Sequence, residues 1–167
     1  MQRKQKIVTD PAATGGQAKQ PLHLLVIDDD ATQRKLVSLA AEKAGHAVTF
    51  AVSCAEAIAK LAERQFDCVT LDLALGDGDG LEILKAMNAT GQLVPVIVIS
   101  GMDRIRREES RFMARALGIE MKSLPKPVDL AALRVLLANL RYKSLGLPMI
   151  HMWGGIAVNN LADDHRN

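Results

Sequence analysis

The chain is predicted to be an α/β domain built on a parallel sheet, and three observations predict it. From about residue 22 to 141, apolar runs of strand length alternate with helical segments of roughly 10–15 residues, the pattern of βαβ units. The runs Leu24-Leu25-Val26-Ile27, Cys68-Val69-Thr70-Leu71 and Val96-Ile97-Val98-Ile99 are continuous, as strands buried on both faces require. Chemically active residues close four of the strands: Asp28-Asp29, Asp72, Ser100 and Lys126. Five βα repeats with right-handed crossovers fit a flavodoxin-like (βα)5 sandwich, with a five-stranded sheet in the order 2-1-3-4-5.

The first strand is expected over about 22–27, and the first helix over about 31–44, carrying Leu36, Val37, Leu39 and Ala40, with Gly45 as its stop. The second strand covers about 47–52. Ser53-Cys54-Ala55-Glu56 is a capping-box pattern that opens a second helix running to about Arg64. The third strand covers about 67–72, and Gly76-Asp77-Gly78-Asp79-Gly80 reads as a flexible loop. The third helix follows over about 80–89, then a fourth strand over 95–100 that tolerates Pro95 at its first position. The fourth helix is expected over about 103–117. Ile105, Phe112, Met113, Ala116 and Leu117 form its predicted buried face, opposite a stripe of Arg104, Arg107, Arg111 and Arg115. A weaker fifth strand covers about 119–123, and the fifth helix about 128–141.

Composition bounds the rest. About half of the 167 residues are hydrophobic but only 3% are aromatic, so the core must be aliphatic. Two cysteines make no disulfide framework; Cys54 and Cys68 read as reduced packing residues of a cytoplasmic protein. No stretch has the length of a membrane-spanning helix, and the N-terminus lacks the apolar core of a signal peptide. Residues 1–21 carry Arg3, Lys4, Lys6 and Lys19 against Asp10, and read as a disordered basic arm. Residues 22–140 hold 14 Lys and Arg against 16 Asp and Glu, which lacks the basic footprint of direct DNA binding. The tail over 142–167 mixes apolar residues, among them Leu147, Met149 and Trp153, with Pro148 and Gly154-Gly155. It is too short for an output domain and is expected to pack on the domain, contact a second subunit or remain disordered. His23, His46, His151 and His165 show no ligand spacing.

In an open parallel sheet the carboxyl ends of the strands share one edge, where ligands bind. Asp28, Asp29, Asp72, Ser100 and Lys126 would therefore converge. Taken singly, each has a plain reading: a carboxylate or hydroxyl after a strand often caps the next helix, as Asp30 is expected to do. Their register with four separate strands outweighs that reading. Three carboxylates at one edge repel unless a cation intervenes, and an all-oxygen set with few protein donors suits Mg²⁺. A carboxylate can take a phosphoryl group as an aspartyl phosphate. Mg²⁺, Lys126 and the Ser100 hydroxyl are suitable donors to its oxygens.

These residues resemble a known family. Leu25-Val26-Ile27-Asp28-Asp29-Asp30, Leu71-Asp72-Leu73 leading to Asp79-Gly80-Leu81, Val96 to Gly101, and Leu124-Pro125-Lys126-Pro127 look like the blocks of a response-regulator receiver domain over about 22–141. The resemblance implies that Asp72 is the phosphoacceptor. It implies that Asp28, Asp29, Asp72 and the backbone carbonyl of Ala74 bind Mg²⁺. It makes Ser100 the switch hydroxyl and Lys126 the family's lysine, followed by a proline whose peptide bond is often cis. It further implies a signalling protein rather than an enzyme. A histidine kinase or histidine phosphotransfer protein would donate the phosphoryl group, and an unknown downstream protein would respond. The chain would be a stand-alone receiver or a piece of a longer regulator, with a homodimer through helix four, strand five or the apolar tail as a further expectation.

Departures from the family pattern carry expectations too. Ser123 stands where an aromatic switch residue is usual, so the signal is expected to leave by another route. Ala74 and Met102 stand where the family tunes dephosphorylation; neither side chain holds a water well, which implies slow loss of the phosphoryl group. The alternative is a haloacid-dehalogenase-type phosphatase. Asp28-Asp29-Asp30-Ala31-Thr32 fits its Asp-x-Asp-x-Thr motif, with Asp28 as nucleophile and Asp30 as acid/base. That reading leaves Asp72 unexplained, supplies no fourth acidic motif beyond Asp163-Asp164 in a polar tail, and has no cap domain.

Overall fold

The computed structural model describes residues 21–144, 151–153 and 156–158. The expected basic arm and most of the apolar tail lie outside the described residues. The elements, in chain order, are β1 (His23–Ile27), α1 (Ala31–Lys43), β2 (Ala47–Ala51), α2 (Cys54–Glu63), β3 (Cys68–Leu71), β4 (Ala74–Leu75), β5 (Gly78–Asp79), α3 (Gly80–Ala89), β6 (Val96–Ser100), α4 (Arg104–Ala116), β7 (Met121–Pro125), α5 (Leu130–Ser144), β8 (His151–Trp153) and β9 (Ile156–Val158).

The main sheet runs β2-β1-β3-β6-β7, all parallel. Without the two-residue strands β4 and β5 this is the expected order 2-1-3-4-5. Side chains alternate across the sheet, as the pleat dictates. Leu25, Ile27, Val69, Leu71, Val96 and Val98 join the core under α2, α3 and α4, where Leu61, Ile83, Leu84 and Met87 meet them. Leu24, Val26, Cys68, Ile97 and Ile99 face the opposite core, with Val37, Ala40 and Ala41 of α1 and Leu133 and Leu137 of α5. The continuous apolar runs of β1, β3 and β6 are thus explained: each strand feeds two cores.

Local signals behave as the sequence indicates. Asp30 caps α1, accepting from the N–H groups of Thr32 (2.7 Å) and Gln33 (3.1 Å). Gly45 takes φ +80°, the left-handed conformation that ends α1. Ser53 Oγ accepts from Glu56 N (3.1 Å), while the Glu56 carboxylate reaches back to Val52 N (2.8 Å), one residue beyond the usual capping box.

Three expectations are corrected. The glycine-rich segment after β3 is a short antiparallel hairpin, with Ala74 opposite Asp79 and Leu75 opposite Gly78. The fifth strand starts two residues later than expected because Ile119 N donates to Ala114 O (2.8 Å), extending the exit of α4. The buried face of α4 is also different. Ser110 and Ala114 are buried, whereas Ile105 and Phe112 are 70% and 76% exposed and Ala116 is exposed too. The small side chains at 110 and 114 let the helix backbone lie close to the core, which turns the larger ones outward. Met113 and Leu117 remain half-buried at the edge of that face.

At the end of the sheet away from Asp72, Gln92 is 1% exposed and binds three backbone groups. Its amide donates to Leu61 O and to Arg64 O (2.9 Å) and accepts from Phe66 N (3.0 Å). His46, in the turn between α1 and β2, donates from Nε2 to Leu137 O of α5 (3.0 Å).

Candidate functional site

The four strand-end signals are gathered by the topology. β1, β3 and β6 are neighbours in the sheet, and β7 follows β6. Asp28 follows β1, Asp72 follows β3, Ser100 closes β6, and Lys126 follows β7. Asp28, Asp72 and Ser100 are buried, at 4%, 5% and 1% exposure. Asp29 is exposed.

Lys126 is the countercharge. Its Nζ donates to Asp72 Oδ2 at 2.6 Å and to Asp28 Oδ2 at 3.0 Å. The Lys126–Pro127 peptide is cis. The free oxygens of the two carboxylates take backbone donors: Asp28 Oδ1 accepts from Asp30 N (2.8 Å), and Asp72 Oδ1 from Ala74 N (3.0 Å). Burial pushes the Asp28 carboxyl above its ordinary pKa, against the pull of the Asp30 N–H and the Lys126 ammonium. Burial also opposes the charge on Lys126, but its hydrogen bonds to Asp72 and Asp28 outweigh that and raise its pKa.

One oxygen from each of Asp28, Asp29 and Asp72 lies within 4.8 Å of the others. One ammonium faces two buried carboxylates and a third at the rim, so the site keeps an excess of negative charge open to solvent on one side. That donor set fits a hard divalent cation with water completing its shell.

Ser100 Oγ accepts from Met102 N (3.2 Å), while Asp103, three residues on, caps α4 through Arg106 N (3.0 Å). The serine is therefore not the helix cap that a plain strand-end serine would be. Asp30 spends its carboxylate on α1, which weighs against its use as a catalytic acid/base. Ala74 is exposed and Met102 half-buried. Ser123 Oγ is buried and finds no hydrogen-bond partner among the described residues.

Three participants escaped sequence reasoning. Arg34, one turn into α1, donates from Nη1 to Asp28 O (2.8 Å) and braces the acidic turn. Asp77, in the hairpin turn, accepts from Cys54 N (2.8 Å) and Ala55 N (3.1 Å), tying the segment after Asp72 to the start of α2. Asp79 caps α3 through Leu81 N (3.0 Å) and accepts from Arg106 Nη1 of α4 (2.8 Å). Only the acidic character of the glycine-rich segment hinted at the last two.

Comparison with known proteins agrees with this fold. Residues 24–138 match the family described as response regulator receiver domain. The response regulator MprA of Mycobacterium sp. (strain KMS) is 31% identical over 124 residues, covering 72% of this chain and 50% of that protein. The chain thus spans about half the length of that curated relative. The structure of a CheY-like receiver domain protein from Methanospirillum hungatei superposes with a TM-score of 0.65 at 22% identity, covering 76% of this chain and 98% of that one. A Burkholderia pseudomallei response regulator, whose structure holds a phosphorylated aspartic acid and a calcium ion, superposes with a TM-score of 0.59 at 23% identity, covering 75% and 71%. At these identities the two structures speak for the fold, and the sequence match speaks for the family. Among the described residues no helix is long and apolar enough to cross a membrane. The chain belongs, over residues 24–138, to the response regulator receiver domain family.

Proposed function

We propose that this receiver accepts a phosphoryl group on Asp72 from a histidine kinase or histidine phosphotransfer protein and signals through a change in protein contacts. The observation that carries the reading is the buried Asp72 carboxylate, held between the Lys126 ammonium at 2.6 Å and the Ala74 N–H at 3.0 Å. A carboxylate oxygen of Asp72 attacks phosphorus, the bond from phosphorus to the donor nitrogen breaks, and the donor imidazole leaves with that electron pair. Lys126 and the Ser100 hydroxyl are the donors available to the phosphoryl oxygens. Asp28, Asp29 and Asp72, with the Ala74 carbonyl, would hold Mg²⁺, which when bound offsets the charge of the incoming phosphoryl group. The Burkholderia relative with a phosphorylated aspartic acid and a calcium ion supports a site of this kind.

The receiver is taken to occupy residues 22–141, with the segments on either side outside the phosphoryl chemistry, and to work in the cytoplasm. Its output is binding or release of a partner protein rather than turnover of a substrate, because an aspartyl phosphate shifts a two-state equilibrium through unequal contacts in the two states.

The test is intact-mass spectrometry after treatment with acetyl phosphate and Mg²⁺. The expected gain is one phosphoryl group, about 80 Da for HPO₃ on a carboxylate, in the wild type and none in Asp72→Asn. A persistent adduct in the variant would move the nucleophile elsewhere, to Asp28 first.

A further inference from the structure

Asp72 and Ser100 are joined by a circuit of contacts that runs outside the acidic site. Asp72 Oδ1 accepts from Ala74 N, and Ala74 lies opposite Asp79 across the hairpin. Asp79 caps α3 with one carboxylate oxygen and accepts from Arg106 Nη1 with the other, at 2.8 Å. The backbone N–H of Arg106 donates to Asp103, the cap of α4. The segment from Ser100 to that cap is held by Met102 N on the Ser100 hydroxyl. The strand-to-helix segments that follow β3 and β6 are thus fastened to one another by the Arg106–Asp79 ion pair. The loop side of this circuit is stiff. Gly80 packs so closely on Leu73 that an added Cβ would lie 2.8 Å from Leu73 Cα, and Asp77 anchors the turn to α2.

The other route away from the site is missing a part. At position 123 a serine stands on β7, its hydroxyl buried and without a partner among the described residues, and no bulky side chain is there to follow Ser100.

We propose that Arg106 is a positioning residue: its ion pair with Asp79 holds the first turn of α4 against the segment leaving Asp72 and so opposes movement of Ser100 toward a phosphoryl group. The proposal rests on the phosphoacceptor reading of Asp72. Contacts present in the unphosphorylated arrangement favour that arrangement, so their removal shifts the population toward the other one. Both partners are partly exposed and Glu109 stands 3.7 Å from the same Arg106 nitrogen, which limits the effect. A half-exposed pair supports a change of about two- to fivefold.

The probe is beryllium trifluoride with Mg²⁺, a non-covalent stand-in for the phosphoryl group, titrated calorimetrically into the wild type, Arg106→Gln, Arg106→Lys, Asp79→Asn and the double variant Arg106→Gln/Asp79→Asn. Asparagine at 79 keeps an oxygen for Leu81 N, so the cap of α3 survives while the charge is lost. Arg106→Gln and Asp79→Asn are each expected to bind the mimic about two- to fivefold more tightly. The double variant is expected to match either single one, and Arg106→Lys to fall back toward the wild type. Without the mimic, amide exchange over residues 107–110 is expected to quicken in Arg106→Gln. Unchanged or weaker binding in Arg106→Gln, or additive effects in the double variant, would overturn the coupling while leaving the phosphoacceptor reading intact. A wild type that binds no mimic would overturn that reading and the coupling with it, even if the exchange of α4 changed.

Discussion

Lys126 Nζ lies 2.6 Å from Asp72 Oδ2, although 54 residues separate them in the chain. The same nitrogen also serves Asp28, so one cation is shared by two buried carboxylates. The fold holds this charge imbalance where a metal ion and a phosphoryl group would later share it.

The imbalance has a measurable cost. Burial holds the Asp28 carboxyl above its ordinary pKa, so ionised Asp28 is unfavourable in the metal-free fold. Asp28→Asn is expected to raise Tm in Mg²⁺-free buffer at neutral pH by about 2–4 °C, equivalent to about 1 kcal/mol for a chain of this size. Added Mg²⁺ should stabilise the wild type and do less for the variant. Scanning calorimetry with and without the ion checks both, and a lower Tm for the variant would refute the argument.

Ala74 and Met102 offer no hydrogen bond to a water attacking the aspartyl phosphate. Ala74→Asn supplies an amide at the position two past Asp72 and is expected to shorten the phosphoryl lifetime about tenfold, the worth of one well-placed hydrogen bond to a polarised group. Decay followed by mass spectrometry after removal of the donor measures it. An unchanged lifetime would mean that water reaches the phosphoryl group away from residue 74.

Asp77 gives the fold a pH dependence of definite sign. The N–H groups of Cys54 and Ala55 hold its carboxyl below its ordinary value of 3.8. A depressed pKa contributes stability that is fully present above the unfolded value and is lost as pH falls through the folded one. Asp77→Ala is therefore expected to lower the urea midpoint at pH 7 and pH 5. The gap from the wild type should close below about pH 3.8, the unfolded value of the group. A gap that persists at pH 2.5 would assign the effect to packing instead.

Gly80, which opens α3, and Gly76, in the hairpin turn, should respond differently to a side chain. A Cβ on Gly80 would meet Leu73 Cα at 2.8 Å and Leu73 Cδ2 at 2.9 Å, and a backbone atom cannot step aside. Gly80→Ala is expected to destabilise by about 1–3 kcal/mol, the range for overpacking. A Cβ on Gly76 would find Asp29 Oδ2 at 3.5 Å, an ordinary contact, so Gly76→Ala should be tolerated. Urea unfolding of both variants makes the comparison.

The strands and the acidic site were legible because each rests on a local, strong signal. β1, β3 and β6 each carry a nearly continuous apolar run, and Asp28, Asp72 and Ser100 stand directly at the end of those runs. What escaped depends on partners distant in sequence. Asp77 reaches back 22 and 23 residues to α2, and Gln92 reaches 26 to 31 residues to the segment around β3; no periodicity announces either. The large apolar residues of α4 suggest a buried face of their own, whereas Ser110 and Ala114 are the residues that let the helix seat closely. Ile119 reads as strand from its apolar side chain, yet its N–H closes the exit of α4.

Gln92 gives the molecule a clamped end. Its three hydrogen bonds staple the exit of α2, the entry to β3 and the turn after α3 into one block, beneath the amino ends of the strands. Asp72, Ser100 and Lys126 sit at the opposite ends of the same strands. The backbone is thus tied together at the end of the sheet remote from the acids, and the acidic end is held separately, by the contacts of Lys126, Asp77 and Asp79.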